Sequence, residues 1–188
     1  MIILEKAGLS RTLQHIQTHD CATITAYRGE YVKVDNQKRN KSLLAKLMAK
    51  RYSITTMIGS YIENYQSEDE KEVKETIFFV VDIDDKGNLE KDITMLGEEF
   101  DQDSILFIPQ GGEGAYLVGT SLRDNSYPGY KNKSKVGRLQ FGKEGEFMTK
   151  VGNRPFKFES IKNGELRLPE GYFARWGVEV EAKKKWNE

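Results

Sequence analysis

Glu75-Thr76-Ile77-Phe78-Phe79-Val80-Val81-Asp82 is the stretch that decides the fold. Its run of apolar residues leaves no polar face, so the strand must be covered on both sides and belongs at the centre of a sheet. On the C-terminal side, Asp82 to Gly87 turns the chain and Asn88 opens a helix through Phe100. Leu89, Ile93, Leu96 and Phe100 recur in it at helical spacing. Ser104 to Ile108 then reads as a second buried strand. On the N-terminal side, Ser53 to Ile62 alternates Ile54, Thr56 and Ile58 against Thr55 and Met57, with Gly59 a candidate bulge or point of close approach. Before it comes a helix capped by Asp35 or Asn36 and running to about Arg51. Leu43, Leu44, Leu47 and Met48 form its apolar stripe, and Arg39, Lys46 and Lys50 fall on the far side. Thr23 to Arg28 is the first strand, ended by Gly29. The order is therefore strand, helix, strand, strand, helix, strand. It predicts an α/β (α+β) fold with a ferredoxin-like β-α-β-β-α-β sheet core.

The flanks decorate this core. Ser10 to about His19 is expected to form an N-terminal helix. Gln66 to Lys74 is charged and reads as an exposed loop. Pro109 to Gly114 is a glycine-rich hairpin loop into a strand at Tyr116–Gly119, and Leu122 to Gly145 reads as a long irregular stretch. Glu146–Lys150 and Pro155–Ser160 form a strand pair, and Pro169 to Trp186 reads as a helix. The expectation is a single domain over 1–188, with the core at 22–120 and a C-terminal β-hairpin/helix extension at 121–188.

With 29 basic and 29 acidic residues the chain has no net charge, which argues against a dedicated nucleic-acid coat. Its one cysteine, Cys21, excludes an intrachain disulfide and suits a reducing compartment. The apolar run at Ile2-Ile3-Leu4 is too short for a signal peptide or a membrane span, so no membrane partner is expected.

Several residue groups are candidates for chemistry. Asp82, Asp84 and Asp85 cluster at the end of the central strand, where carboxylates can hold Mg²⁺ for phosphoryl transfer; a solvated turn competes with that reading. His15 and His19, four apart on a helix, could begin a zinc site but lack an obvious third ligand. Cys21 beside them reads better as a small packed hydrophobe than as a nucleophile. Gly111-Gly112-Glu113-Gly114 precedes a strand, not a helix, so it reads as a hairpin and not as a phosphate cradle. Arg39 and Asn40 of the second helix are candidate binding residues, and Arg28, Glu63, Glu75, Gln102 and Arg154 lie at or near strand ends. Ionisable groups there are costly unless paired, so they form either an ion-pair network or the lining of a binding site. Tyr27 and Phe78, the basic helix and Lys131 to Arg138 could serve nucleic acid, against the default of a solvated face.

Arg39-Asn40-Lys41-Ser42-Leu43-Leu44, Gly59-Ser60-Tyr61-Ile62-Glu63-Asn64, Phe78-Phe79-Val80-Val81-Asp82 and Asp101-Gln102-Asp103-Ser104-Ile105-Leu106 resemble a family of uncharacterised bacteriophage proteins. Gly145 to Lys150 with Arg154-Pro155-Phe156 extends the resemblance, which runs from Leu9 to Phe158. The first half is also distantly similar to a small bacterial domain of unknown function. Tyr27-Arg28-Gly29 is similar to the first strand of ADP-ribosyltransferases, but the Ser-Thr-Ser and Glu-x-Glu elements of that family are missing. The resemblance implies a phage-encoded accessory protein in the host cytoplasm. It would bind a host protein, modulate a host factor or counter a host defence, and need neither catalysis nor a cofactor. The alternatives are a Mg²⁺-dependent enzyme on nucleic acid or nucleotides, using Asp82, Asp84 and Asp85, and a nucleic-acid-binding module.

Overall fold

The computed structural model describes residues 9–63, 71–124, 126–141, 148–151 and 154–159. Side-chain surroundings are described for 11–58, 75–124 and 126–136. The predicted helix at Pro169–Trp186 and most of the predicted loop at Gln66–Lys74 lie outside the described residues.

Helix α1 spans Leu9–Thr18, followed by β1 (Cys21–Ile24), α2 (Lys33–Ala49), β2 (Ser53–Glu63), β3 (Lys71–Val81), α3 (Leu89–Glu99) and β4 (Ser104–Ile108). From β1 to β4 this is the predicted β-α-β-β-α-β order. β1 lies antiparallel between β3 and β4, and β2 pairs with the other edge of β3, which is the ferredoxin-like arrangement. The extension then adds β5 (Ala115–Gly119), β6 (Lys133–Phe141), β7 (Met148–Val151) and β8 (Arg154–Glu159). These strands continue from β4 around to β2, closing a barrel in the order β1-β3-β2-β7-β8-β6-β5-β4. Closure removes the two open edges of the ferredoxin-like sheet.

The apolar run of β3 now has its explanation. Ile77, Phe79 and Val81 point inward with Cys21, Met57, Leu106, Ile108, Leu117 and Val136. Phe78 and Val80 point outward, under Leu43 and Leu47 of α2 and Leu89, Ile93 and Leu96 of α3. Each such side chain, fully buried, contributes roughly 1.5–3 kcal/mol. Ile16 of α1 joins the inner cluster at the end where β1 begins. The glycine-rich hairpin loop holds it there: Gly111 N–H donates to the Ile16 carbonyl at 2.8 Å, and a Cβ on Gly112 would meet Ile16 Cγ2 at 2.7 Å. That loop is a hairpin, as expected, and it clamps a helix.

Four sequence expectations are corrected. The stretch 122–145 is not irregular throughout, because 133–141 forms β6 and pairs with β5 and β8. Gly59 is not a bulge: β2 and β3 stay in register from Ser53↔Val81 to Glu63↔Lys71, and the irregularity falls at Ala115/Tyr116. Neither Asp35 nor Asn36 caps α2, which starts after Val32 without a side-chain cap. β1 ends at Ile24, not Arg28, because side chains of α2 take over the backbone hydrogen bonding from Ala26 onward.

Gly119 of β5 lies directly under the chain that leads into β6. Its N–H donates to the Asn132 carbonyl at 2.9 Å and its carbonyl accepts from Lys131 N–H at 2.9 Å. A Cβ there would sit 1.8 Å from the Gly129 carbonyl oxygen, a clash between backbones that no rotamer relieves. Gly119→Ala is therefore expected to cost about 3 kcal/mol. Gly87→Ala, where a positive φ of 71° is the sole obstacle, should cost about 1 kcal/mol. Urea unfolding of both variants checks this, and equal losses would contradict the close approach.

Candidate functional site

The end of the barrel opposite α1 is polar. The register pairing Thr23 with Leu106 brings the continuations of β1 and β4 side by side, as Tyr27–Arg28 and Asp101–Asp103. Thr25, Arg28, Glu75, Gln102, Ser104, Thr120 and Ser121 are all buried there. Glu75 shares the inward face of β3 with Ile77 and Phe79, because alternate residues of a strand face the same way.

Two asparagines of α2 shape this end. Asn40 accepts from Ala26 N–H at 2.7 Å and donates to the Thr76 carbonyl at 2.7 Å. Thr25 also donates to that carbonyl, at 2.8 Å. Asn36 accepts from Arg28 N–H at 2.9 Å and donates to the carbonyls of Arg28 and Tyr31. The segment leaving β1 has lost its strand partners, and these carboxamides satisfy backbone groups that would otherwise be buried and unpaired. This explains asparagine in the middle of a helix, where it is a poor former.

Arginines hold the rim. Arg39 was expected on the solvent side of α2. It turns inward instead, donating to the carbonyls of Ala26 (2.8 Å) and Phe100 (2.5 Å) with its guanidinium 4.6 Å from the Tyr31 ring centroid. Arg28, only 4 % exposed, donates to the Asp101 carbonyl and to Glu30 at 2.5 Å, with Asp103 at 3.6 Å. Arg123 closes the rim on Glu30 at 3.2 Å and Asp101 at 2.5 Å. Desolvation acts to raise the Glu30 carboxyl, but the two guanidinium groups prevail and bring it down to about 2. Glu30 is thus an anion and a weak base.

Five of the seven predicted binding residues are therefore found at this end: Arg28, Arg39, Asn40, Glu75 and Gln102. Glu75 lies next to Thr76, the residue Asn40 holds. The backbones of Glu63, at the end of β2 opposite Lys71, and of Arg154, opening β8 opposite Val151, are placed in the barrel wall; their side chains lie outside the described residues. Sequence reasoning missed Asn36, read as a cap, and also Thr25, Glu30, Asp101 and Arg123. Asp101 and Asp103 flank Gln102, and an acidic pair beside a predicted strand was a usable signal.

The other candidates have structural employment. Asp82 is buried and accepts from Gly87 N–H at 2.8 Å, Asp84 pairs with Lys86, and Asp85 meets His19 Nδ1 at 2.8 Å. These carboxylates go to three separate partners, and among the described residues no group of three or more His, Cys, Asp or Glu is arranged to hold a metal. The rings of His15 and His19 lie tilted by 44° with centroids 6.0 Å apart. Burial, with help from the Asp20 charge, pushes the Cys21 thiol well above its ordinary range, which suits packing and not nucleophilic attack. On α2 and just after it, Lys38, Lys46 and Lys50 pair with Asp35, Glu99 and Asp92. α3 is moored by Asp92 to Tyr52 (2.7 Å) and by Glu90 to Tyr116 (2.8 Å), and burial followed by these carboxylates raises both phenols. Lys131–Arg138 is in large part strand β6 and not a basic loop. No helix among the described residues is long and apolar enough to cross a membrane.

No curated protein matches the chain significantly. A protein family does, over residues 22–160, a span that runs from β1 through β8 and takes in the whole polar end. That match overturns the expectation of an accessory protein acting by binding a host factor, because the family is one of enzymes. The chain belongs to the S-adenosylmethionine lyase family.

Proposed function

We propose that this protein cleaves a carbon–sulfur bond of S-adenosylmethionine without adding water, and that the polar end of the barrel is where it does so. Family membership over residues 22–160 is the observation that carries this reading. The sulfonium is an activated centre, since its departing sulfur becomes a neutral thioether. A lyase supplies no external water, so the displacing group comes from the substrate. The substrate carboxylate can attack its own γ-carbon. A C–O bond forms, the C–S bond breaks, and its electron pair returns to sulfur. Homoserine lactone and methylthioadenosine result, and no proton is transferred.

The chemistry of the polar end supports this route. Glu30 is held ionised by Arg28 and Arg123 and is therefore a poor general base. A reaction needing no protein base suits such a site. Attack by carboxylate on sulfonium destroys two charges, so it proceeds faster away from water. Buried polar residues of the kind found here can position a zwitterion while excluding solvent. Glu75, buried on the inward face, would attract the sulfonium in the bound substrate. Because that charge fades in the transition state, Glu75 contributes to binding more than to the chemical step.

Two outcomes test the proposal. Incubation of the protein with S-adenosylmethionine in H₂¹⁸O, quenched early and read by mass spectrometry, should give methylthioadenosine and a lactone free of ¹⁸O. Homoserine carrying ¹⁸O from the first turnover would establish hydrolysis instead, and an unchanged substrate would remove the activity altogether. In steady-state kinetics Glu75→Gln should raise KM by roughly 10-fold while kcat changes less. A fall in kcat at constant KM would contradict the binding role.

A further inference from the structure

The buried groups of the polar end are closed off. Arg28 and Glu75 are 4 % exposed, Thr120 and Ser121 are 3 % exposed, and Gln102 is wholly buried. A ligand that is to touch them must first displace part of what covers them. Three pieces of chain surround this end, and they are held very differently. The segment 25–31 is tied down by Asn36 and Asn40 through hydrogen bonds to its backbone. The chain at 129–132 bonds Gly119 in both directions, backbone to backbone. The turn after β5, Ser121 to Asp124, has no such mooring. Leu122, Arg123 and Asp124 lie at the surface. The turn's bonds close on itself: Arg123 N–H donates to Ser121 Oγ at 3.2 Å, and Ser126 Oγ lies 3.0 and 2.8 Å from the carbonyls of Ser121 and Arg123. Among the described residues, hydrogen bonds from 122–124 to the rest of the protein run through the Arg123 guanidinium, onto Glu30 and Asp101.

We propose that the turn 121–124 is a gate over the polar end, that Arg123 is its latch, and that ligand enters when the latch opens. The proposal rests on the S-adenosylmethionine reading of this end. Thr120 is the fixed point of the swing, since its N–H donates to the Asp103 carbonyl at 3.0 Å and its hydroxyl to the Gln102 carbonyl at 2.6 Å. Arg28 makes the open form accessible in energy. Its Nε lies 2.5 Å from Glu30 and 4.0 Å from Asp101, so both carboxylates keep a guanidinium when Arg123 leaves. The Arg123 side chain is already 49 % exposed and moves fully into water. Exposed ion pairs of this kind are weak and are screened by salt. Closed and open forms are thus separated by little free energy, as gating requires. The rate of ligand entry then follows the fraction of molecules that are open.

The test is the association rate of S-adenosylhomocysteine, measured by surface plasmon resonance at a series of salt concentrations. This ligand has no net charge, so screening leaves its diffusional encounter unchanged. In the wild-type protein association should quicken by roughly 2- to 5-fold between about 20 mM and about 300 mM salt, as screening loosens the latch. In Arg123→Ala it should be faster than wild type by roughly 2- to 30-fold at low salt, the range of two exposed ion pairs, and flat with salt. A purely structural role for Arg123 would lower resistance to urea without producing either effect. Association in Arg123→Ala that is unchanged or slower would overturn the gate, as would a rise with salt that persists in the variant. Should the variant fail to fold, the wild-type protein still decides the matter, since a flat or falling salt dependence contradicts the latch. Failure of the underlying reading looks different: S-adenosylhomocysteine would then not bind at any salt concentration, and S-adenosylmethionine would not be turned over.

Discussion

The carboxamide of Asn40 is the interaction on which the polar end depends. β1 is a strand of four residues, and past Ile24 its backbone has no ladder to join. Asn40 bridges Ala26 N–H to the Thr76 carbonyl and so ties the departing chain to β3 from outside the sheet. Asn36, one turn earlier, does the same for Arg28 and Tyr31. With the segment 25–31 fixed, Arg28 can lie buried against Asp101 and Asp103, and Arg39 can lie between Tyr31 and Phe100. Without those two side chains, buried backbone groups would go unpaired and the rim would have no floor.

The two ends of the barrel therefore have different characters. At the α1 end, Ile16 meets Cys21, Val81 and Ile108, and a glycine loop locks the helix down. Those inward side chains serve packing. At the other end the buried side chains are amides, hydroxyls, a carboxylate and a guanidinium. Such an assembly is expensive to bury, and the apolar core would be more stable without it. Its retention alongside family membership is the physical basis for locating function there. The proposed sulfonium substrate would find the buried Glu75 carboxyl at this end, and the removal of water favours a reaction that annihilates charge.

Much of the architecture was legible in the sequence because hydrophobic period reports it directly. Ile77 to Val81 announced a strand covered on both faces, and Leu89, Ile93 and Leu96 announced the helix after it. β6 was not legible. Lys133-Ser134-Lys135-Val136 presents few apolar residues, since one face meets solvent and the inward positions are filled by Ser134 and Val136. Its second partner, β8, lies some distance along the chain, with Arg138 opposite Glu159. Barrel closure rests on that pairing and left no local trace. At the site, Arg28, Glu75 and Gln102 were found from the cost of placing polar groups beside apolar strands, whereas Arg39 and Asn40 of the helix carried no such signal. Asn36 was misread because a helix-start asparagine ordinarily caps its own helix, whereas here it turns back to the preceding segment. The binding-protein reading failed because nothing in the spacing of residues points to the enzyme family that the match over residues 22–160 shows.

The central claim is that ligand binds at the polar end of the barrel. Hydrogen–deuterium exchange with and without S-adenosylhomocysteine tests it most directly. Binding should slow exchange in 25–31 and 101–104, the backbone that Asn36, Asn40 and Arg28 hold in place. Protection confined to the Asp82–Gly87 turn or to the groove lined by Lys46, Lys50, Met95 and Glu99 between α2 and α3 would contradict it.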